Sequence, residues 1–186
     1  MLNLFQKTAK IQKELHKDGM PSIVIGGLAV AVWGEPRLTA DIDLKIQLNR
    51  DDASKLVFSL KPHYRLLANN PIETIKKVGF IFIQDTSNTR IDLLLADTPF
   101  DIQAIERGKK VHADKETSLT ICSPEDLIIY KMISTRPRDR EDVRGIIIRQ
   151  KKNLDHPYLL DWLTQFEKAI DDSTLVVEYN RMFKSL

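Results

Sequence analysis

Cysteine is almost missing from this chain of 186 residues. Cys122 stands alone, so an internal disulfide framework is excluded and a reducing compartment is the expectation. The expected role of Cys122 is that of a small apolar residue at a strand end. Long hydrophobic runs are missing too. None approaches the ~18–20 residues needed to cross a bilayer, and the N-terminal stretch lacks the apolar core and small-residue cleavage site of a signal peptide. The expectation is therefore a cytoplasmic protein with no membrane partner. The four histidines, His16, His63, His112 and His156, are scattered without ligand spacing, which excludes a histidine-based metal site. Repeats, low-complexity tracts and flexible linkers are absent as well.

What is present is an ordinary globular composition, 42% hydrophobic and 29% charged, enough for one cored domain or one domain with a small helical extension. The net charge of +2 hides a segregation. Lys131 to Lys152 holds eight Lys/Arg against three acids, net +5, which leaves the rest near −3. A basic region of this kind suits triphosphate or a nucleic-acid backbone; its ordinary alternative is a solvated helix face with Arg–Asp pairs.

The most informative segment is Gly26-Gly27, thirteen further residues, then Asp41-Ile42-Asp43. In an extended strand, residues i and i+2 share a face, so Asp41 and Asp43 project together while Ile42 and Leu44 turn inward. Two carboxylates so close repel each other and call for a cation. Mg²⁺ suits them, because it takes oxygen ligands and sits on one or two carboxylates plus substrate phosphates; Mn²⁺ is the alternative metal. A third acid, Asp92, interrupts the apolar run Arg90-Ile91-Asp92-Leu93-Leu94-Leu95. If its strand lies beside that of Asp43, the three acids form a cluster able to hold two metal ions about 3.5–4 Å apart for in-line displacement at phosphorus. The ordinary role for Asp92 would be that of a partner for Arg90.

Local signals outline the elements. Amphipathic spacing predicts a helix from Leu2 to Lys17, ending near Gly19. A short buried strand from Pro21 to Ile25 follows, then a helix opened by Gly26-Gly27 and running through Trp33, whose free N–H groups could cradle an anion. A helix is expected over Asp51–Leu60, stopped by Pro62, and two antiparallel strands over Gly79–Ile83 and Arg90–Leu95. Further expectations are a helix over Pro99–Arg107 and a short strand within Val111–Ile121. A helix capped by Ser123-Pro124-Glu125-Asp126 should run to about Ser134. Others should begin near Arg138, at Tyr158 and at Thr174.

In order, Gly26-Gly27, Asp41-x-Asp43 and Asp92 resemble the signature of the nucleotidyltransferase superfamily. Arg37, Thr39, Thr98-Pro99-Phe100-Asp101, Ser123-Pro124-Glu125-Asp126-Leu127, Lys131 and Arg138-Asp139-Arg140-Glu141-Asp142-Val143 extend the likeness to its toxin-type branch, found in abortive-infection and toxin–antitoxin systems. The resemblance runs from about Ile23 to Ile148. It implies an α/β (α+β) fold of the polymerase β type: a mixed β-sheet flanked by helices, with a catalytic core over 1–122 and a helical C-terminal region over 123–186. It implies Asp41, Asp43 and Asp92 as catalytic metal ligands, and Gly26, Gly27, Arg37, Thr39, Lys131, Asp139 and Asp142 as nucleotide-binding residues. The reaction implied moves NMP from an NTP, such as ATP, to a hydroxyl on tRNA or protein, with a cognate antitoxin as a further partner. Two other readings stand beside it: a small-molecule transferase of the antibiotic-modifying type, and a catalytically silent nucleotide- or partner-binding module.

Overall fold

The computed structural model describes residues 2–186, with side chains from Leu4 onward. It has a mixed α/β architecture: a seven-stranded mixed sheet flanked by helices, and helices at the C-terminal end of the chain. Two compact units are distinguished, Met1–Leu28 with Leu38–Cys122, and Ala29–Arg37 with Ser123–Leu186.

The first unit holds the whole sheet. Its strands are β1 (Ser22–Ile25), β2 (Ile42–Ile46), β3 (Arg65–Leu66), β4 (Phe80–Gln84), β5 (Arg90–Leu95), β6 (Lys109–His112) and β7 (Ser118–Ile121), in the order β3-β4-β5-β2-β1-β7-β6. β2 runs antiparallel to β1 and parallel to β5. Alternation along the strands makes the sheet two-faced. Ile42, Leu44, Ile81, Ile83, Ile91 and Leu93 are all at most 1% exposed, whereas Asp43, Phe82 and Asp92 on the other face are only partly covered. Burying each such aliphatic side chain contributes about 1.5–3 kcal/mol, so a slip by one residue, which would drive the carboxylates into the core, is strongly disfavoured.

Helices α1 (Leu2–Lys17), α3 (Ala53–Leu60) and α4 (Pro71–Val78) pack in series, α1 also against β1 and β7 and α4 against β4. Gln12 of α1, nearly buried, donates to the carbonyls of Ser22 and Thr120 and accepts from Thr120 N–H, so its amide is satisfied by two strands at once. On the carboxylate-bearing face, α5 (Pro99–Glu106) packs on β1 and β2. Its capping box joins Thr98 and Asp101, and Asp101 also meets Lys45 of β2 at 2.8 Å. The β4–β5 turn is tied by Asp85, whose carboxylate accepts from Ser87 and Thr89 N–H and pairs with Lys7 at 3.0 Å. Asn88 there takes the left-handed conformation, φ 60°.

The second unit contains α6 (Pro124–Met132), α7 (Pro137–Gln150), α8 (His156–Ile170) and α9 (Leu175–Ser185). α6 is buried almost all round, from Leu127 to Met132, as expected of a helix packed on both α7 and α8. Ser123 caps it by accepting from Asp126 N–H, and Pro124 takes the first helical position. Residues 29–37 belong with α7 because small residues let the backbones approach. A Cβ on Gly34 would stand 2.9 Å from Ile146 and one on Gly145 3.1 Å from Glu35, while Arg149 donates to Gly34 O at 2.6 Å and Gln150 to Trp33 O at 3.1 Å. The helix α2 (Gly26–Trp33) thus starts in one unit and ends in the other.

Most sequence expectations match elements to within a few residues. The differences have local causes. A 3₁₀ turn over Arg50–Asp52 precedes α3, so that helix starts at Ala53 rather than Asp51. The strand expected within Val111–Ile121 is a two-stranded hairpin, because Asp114 folds the chain back by accepting from Glu116 and Thr117 N–H. β3 and α4 had no counterpart in the sequence reading. Among the described residues, no helix is long and apolar enough to cross a membrane.

Candidate active site

The three acids singled out in the sequence are on one end of the sheet in the first unit. Asp43 of β2 and Asp92 of β5 are direct partners in the parallel register, on strands that neighbour at about 4.8 Å. Asp41 lies one residue before β2 and is exposed. Ile42 and Leu44 are fully buried behind them, so the alternation presents the acids away from the core.

The two glycines are required by what packs on them. Gly26 sits at the junction of β1 and α2 with φ +64°, and a Cβ there would overlap the Asp43 carboxylate. A Cβ on Gly27 would stand 2.6 Å from Thr39 Oγ1. Asp43 therefore rests on bare backbone at the start of α2, where the helix dipole favours negative charge. Gly26→Ala is expected to cost about 1–3 kcal/mol in stability through the strained φ and, by displacing Asp43 on the order of 1 Å, about 10²-fold in any activity that needs that carboxylate. Thermal unfolding and a transfer assay on the same preparation check both.

Arg90 adds a charge that motif reading left out of the site. Its guanidinium makes a two-pronged contact with Asp92, Nε to Oδ1 at 2.7 Å and Nη2 to Oδ2 at 3.0 Å, and lies 4.1 Å over the Phe82 ring. Hydrogen bonding to Asp92 holds Arg90 above the usual arginine range, and the charges of Asp92, Asp41 and Asp43 add to this. One cation thus lies in the field of all three carboxylates. The signal was available in the sequence, since Arg90 precedes Asp92 by two and must share its face.

This arrangement also tests the divalent metal that the resemblance implies. Among the described residues, no three acidic, histidine or cysteine side chains stand where they could hold a metal ion together, and both Asp92 oxygens meet Arg90. The residue types nonetheless suit such a group. All three are oxygen donors of the kind a hard cation takes, and the charge such an ion would supply is here supplied by Arg90.

The remaining sequence candidates are in the second unit, and they meet one another. Lys131, 5% exposed, places Nζ 2.5 Å from Asp139 Oδ1 and 2.8 Å from Asp142 Oδ2. Arg37 clasps Asp142 with Nε and Nη2 at 2.9 and 3.0 Å, and Arg136 reaches Asp139 at 3.0 Å. Burial pushes both carboxylates up, but hydrogen bonds and charge from Lys131, joined by Arg37 at Asp142, outweigh it and hold both below the usual range. Other basic residues of the segment are similarly engaged. Arg140 pairs with Glu178 at 2.9 Å and donates to two carbonyls, while Arg138, Arg144 and Lys152 are exposed.

The family described as "Nucleotidyltransferase of unknown function (DUF6036)" matches residues 1–184. The chain belongs to this family. No curated protein matches this nucleotidyltransferase-family sequence, but solved structures resemble its fold. The antigenic nucleotidyltransferase-like protein of Paracoccidioides brasiliensis is 14% identical, with TM-score 0.55 over 94% of this chain and 92% of that one. The antibiotic-resistance factor ANT(2'')-Ia is 12% identical, with TM-score 0.59 over 91% and 95%. JHP933 of Helicobacter pylori is 14% identical, with TM-score 0.50 over 100% and 93%. At these identities the likeness establishes the nucleotidyltransferase fold that the DUF6036 chain adopts.

Proposed function

We propose that this protein transfers NMP from an NTP to a hydroxyl of an RNA acceptor, with tRNA as the expected class, using Asp41, Asp43 and Asp92 as metal ligands. The observation that carries the reading is the in-register pairing of Asp43 with Asp92, with Asp41 two residues away and one cation already held in their common field. Two Mg²⁺ ions, when bound, would neutralise charge developing on the entering and leaving oxygens. Asp92 takes the acceptor hydroxyl proton as the new O–P bond forms at the α-phosphorus and the α–β phosphoanhydride bond breaks, releasing pyrophosphate. Gly26 and Gly27, packed closely on Asp43 and Thr39, are the backbone that the phosphates would approach at the start of α2. For Arg37, Lys131, Asp139 and Asp142 the nucleotide-binding role rests on the sequence resemblance, which gives Lys131 as the position that meets the triphosphate and Arg37 as lying near the phosphates. A toxin role and an antitoxin partner rest on the resemblance in the same way.

The test is to incubate the protein, beside an Asp41→Ala/Asp43→Ala variant, with each α-labelled NTP, Mg²⁺ and a cell lysate later divided into RNA, protein and small-molecule fractions. Label in RNA that is lost in the variant is the expected result. Label in the protein or small-molecule fraction would replace the acceptor, and no Mg²⁺-dependent NTP binding at all would overturn the reading.

A further inference from the structure

The acids of this site are of the type that takes a divalent cation, yet among the described residues no three of them stand where they could hold one together. Arg90 supplies the cause. Its Nε donates to one Asp92 oxygen and its Nη2 to the other, so neither oxygen is without a guanidinium N–H. The guanidinium is itself seated, 4.1 Å over the ring of Phe82, which is the register partner of Asp92 on β4. Fork, carboxylate and ring thus form one unit on two neighbouring strands. The unit is open on its outer side. The Arg90 side chain is 44% exposed and that of Asp92 17%, while Ile91 and Leu93 are buried on the opposite face, so the guanidinium can swing into water without opening the core. An ion pair exposed to this degree is held weakly enough to be exchanged.

We propose that Arg90 is a tethered counter-cation that closes the site: it holds Asp92 until a divalent cation displaces it, so metal affinity is set by a competition for one carboxylate. The proposal rests on the nucleotidyltransferase reading and assigns the regulation of that same centre. Charge explains why one cation excludes the other. With neither present, Asp43 and Asp92, in register on strands about 4.8 Å apart, would repel each other with Asp41 close by. With both present, Arg90 would stand against a dication on the same oxygens. Neighbouring lysines do not take its place, because Lys45 meets Asp101 at 2.8 Å and Lys7 meets Asp85 at 3.0 Å. A purely positioning role for Arg90 has the opposite sign. If Arg90 only steadied Asp92 for the metal, its removal would loosen the carboxylate and weaken metal binding; if it competes, its removal tightens binding.

The experiment reads that sign. Mn²⁺ binding, followed by the electron paramagnetic resonance signal of the free ion, is measured for the unaltered chain, Arg90→Ala and Arg90→Lys, with thermal unfolding confirming the fold. Arg90→Ala should bind Mn²⁺ about five- to tenfold more tightly, because apparent affinity is reduced by the fraction of molecules in which the site is closed. Arg90→Lys, which keeps the charge without the fork, should fall between. In an Asp92→Asn background the gain from Arg90→Ala should shrink below about twofold, since the contested carboxylate is gone. Unchanged or weaker Mn²⁺ affinity in Arg90→Ala, or an equal gain in the Asp92→Asn background, overturns the proposal. Mg²⁺-dependent NTP binding by the unaltered chain and by Arg90→Ala, measured in parallel, keeps the two readings apart: its presence with Mn²⁺ affinity indifferent to Arg90 rejects the competition alone, and its absence in both rejects the nucleotidyltransferase reading beneath it.

Discussion

Asp43→Asn and Asp92→Asn should each slow nucleotidyl transfer by about 10³-fold or more while leaving the thermal midpoint nearly unchanged. Both carboxylates lie on the partly open face of the sheet, and neither supports the core behind it, where Leu44 and Leu93 are at most 1% exposed. Asparagine matches aspartate in shape, so Asp43→Asn still fits above Gly26, where any added bulk would collide. What is lost is charge. A metal-bound transition state is stabilised by several kcal/mol through its ligands, and each 1.36 kcal/mol is a factor of ten in rate. Single-turnover transfer of an α-labelled NTP, with unfolding followed by circular dichroism, measures both quantities. A folded Asp43→Asn protein with full activity would end the proposed mechanism.

The second large effect is on stability and belongs to the C-terminal helices. Lys131→Met should destabilise the protein by about 3 kcal/mol, because it removes the one buried cation between two buried carboxylates and leaves Asp142 to Arg37 and Asp139 to the exposed Arg136. Without the ammonium, Asp139 and Asp142, 3% and 6% exposed, face each other across the space it filled. For a chain of this size such a loss lowers the midpoint by on the order of 10 °C. The pH dependence follows from the same contacts. Both carboxylates are held below their ordinary range when folded, so their contribution is present above about pH 3.9, the unfolded value, and is lost as pH falls through the lower folded values. In Lys131→Met that depression is relieved and the acid loss of stability becomes shallower. Urea unfolding between pH 3 and 7 checks both parts; an unchanged midpoint would mean that the network contributes nothing net.

Where the sequence was informative, the cause lay within a few residues. Ser123-Pro124 announced α6 because the cap and the first-turn proline act locally, and Ser123 does accept from Asp126 N–H. The alternation around Asp43 and Asp92 announced two strands with buried backs. α4 escaped because Pro71-Ile72-Glu73-Thr74-Ile75-Lys76-Lys77-Val78 buries only Ile75, too faint a stripe for a periodic signal. β3 escaped because two residues of strand exist only by virtue of β4 beside them.

The candidate site divides along the same line. Local pattern by itself determined that Asp41, Asp43 and Asp92 are acids in strand-forming surroundings, that glycines precede them and that basic residues follow, since alternation, turn chemistry and composition are properties of short segments. Only the tertiary structure decided that β2 and β5 are neighbours in a register that opposes Asp43 to Asp92, that Arg90 spends its charge on that centre while covering Phe82, and that Lys131 is enclosed by Asp139 and Asp142 instead of facing solvent. Strand order and burial are set by which distant segments best cover one another's apolar faces, a contest settled across the whole chain and recorded in no single segment.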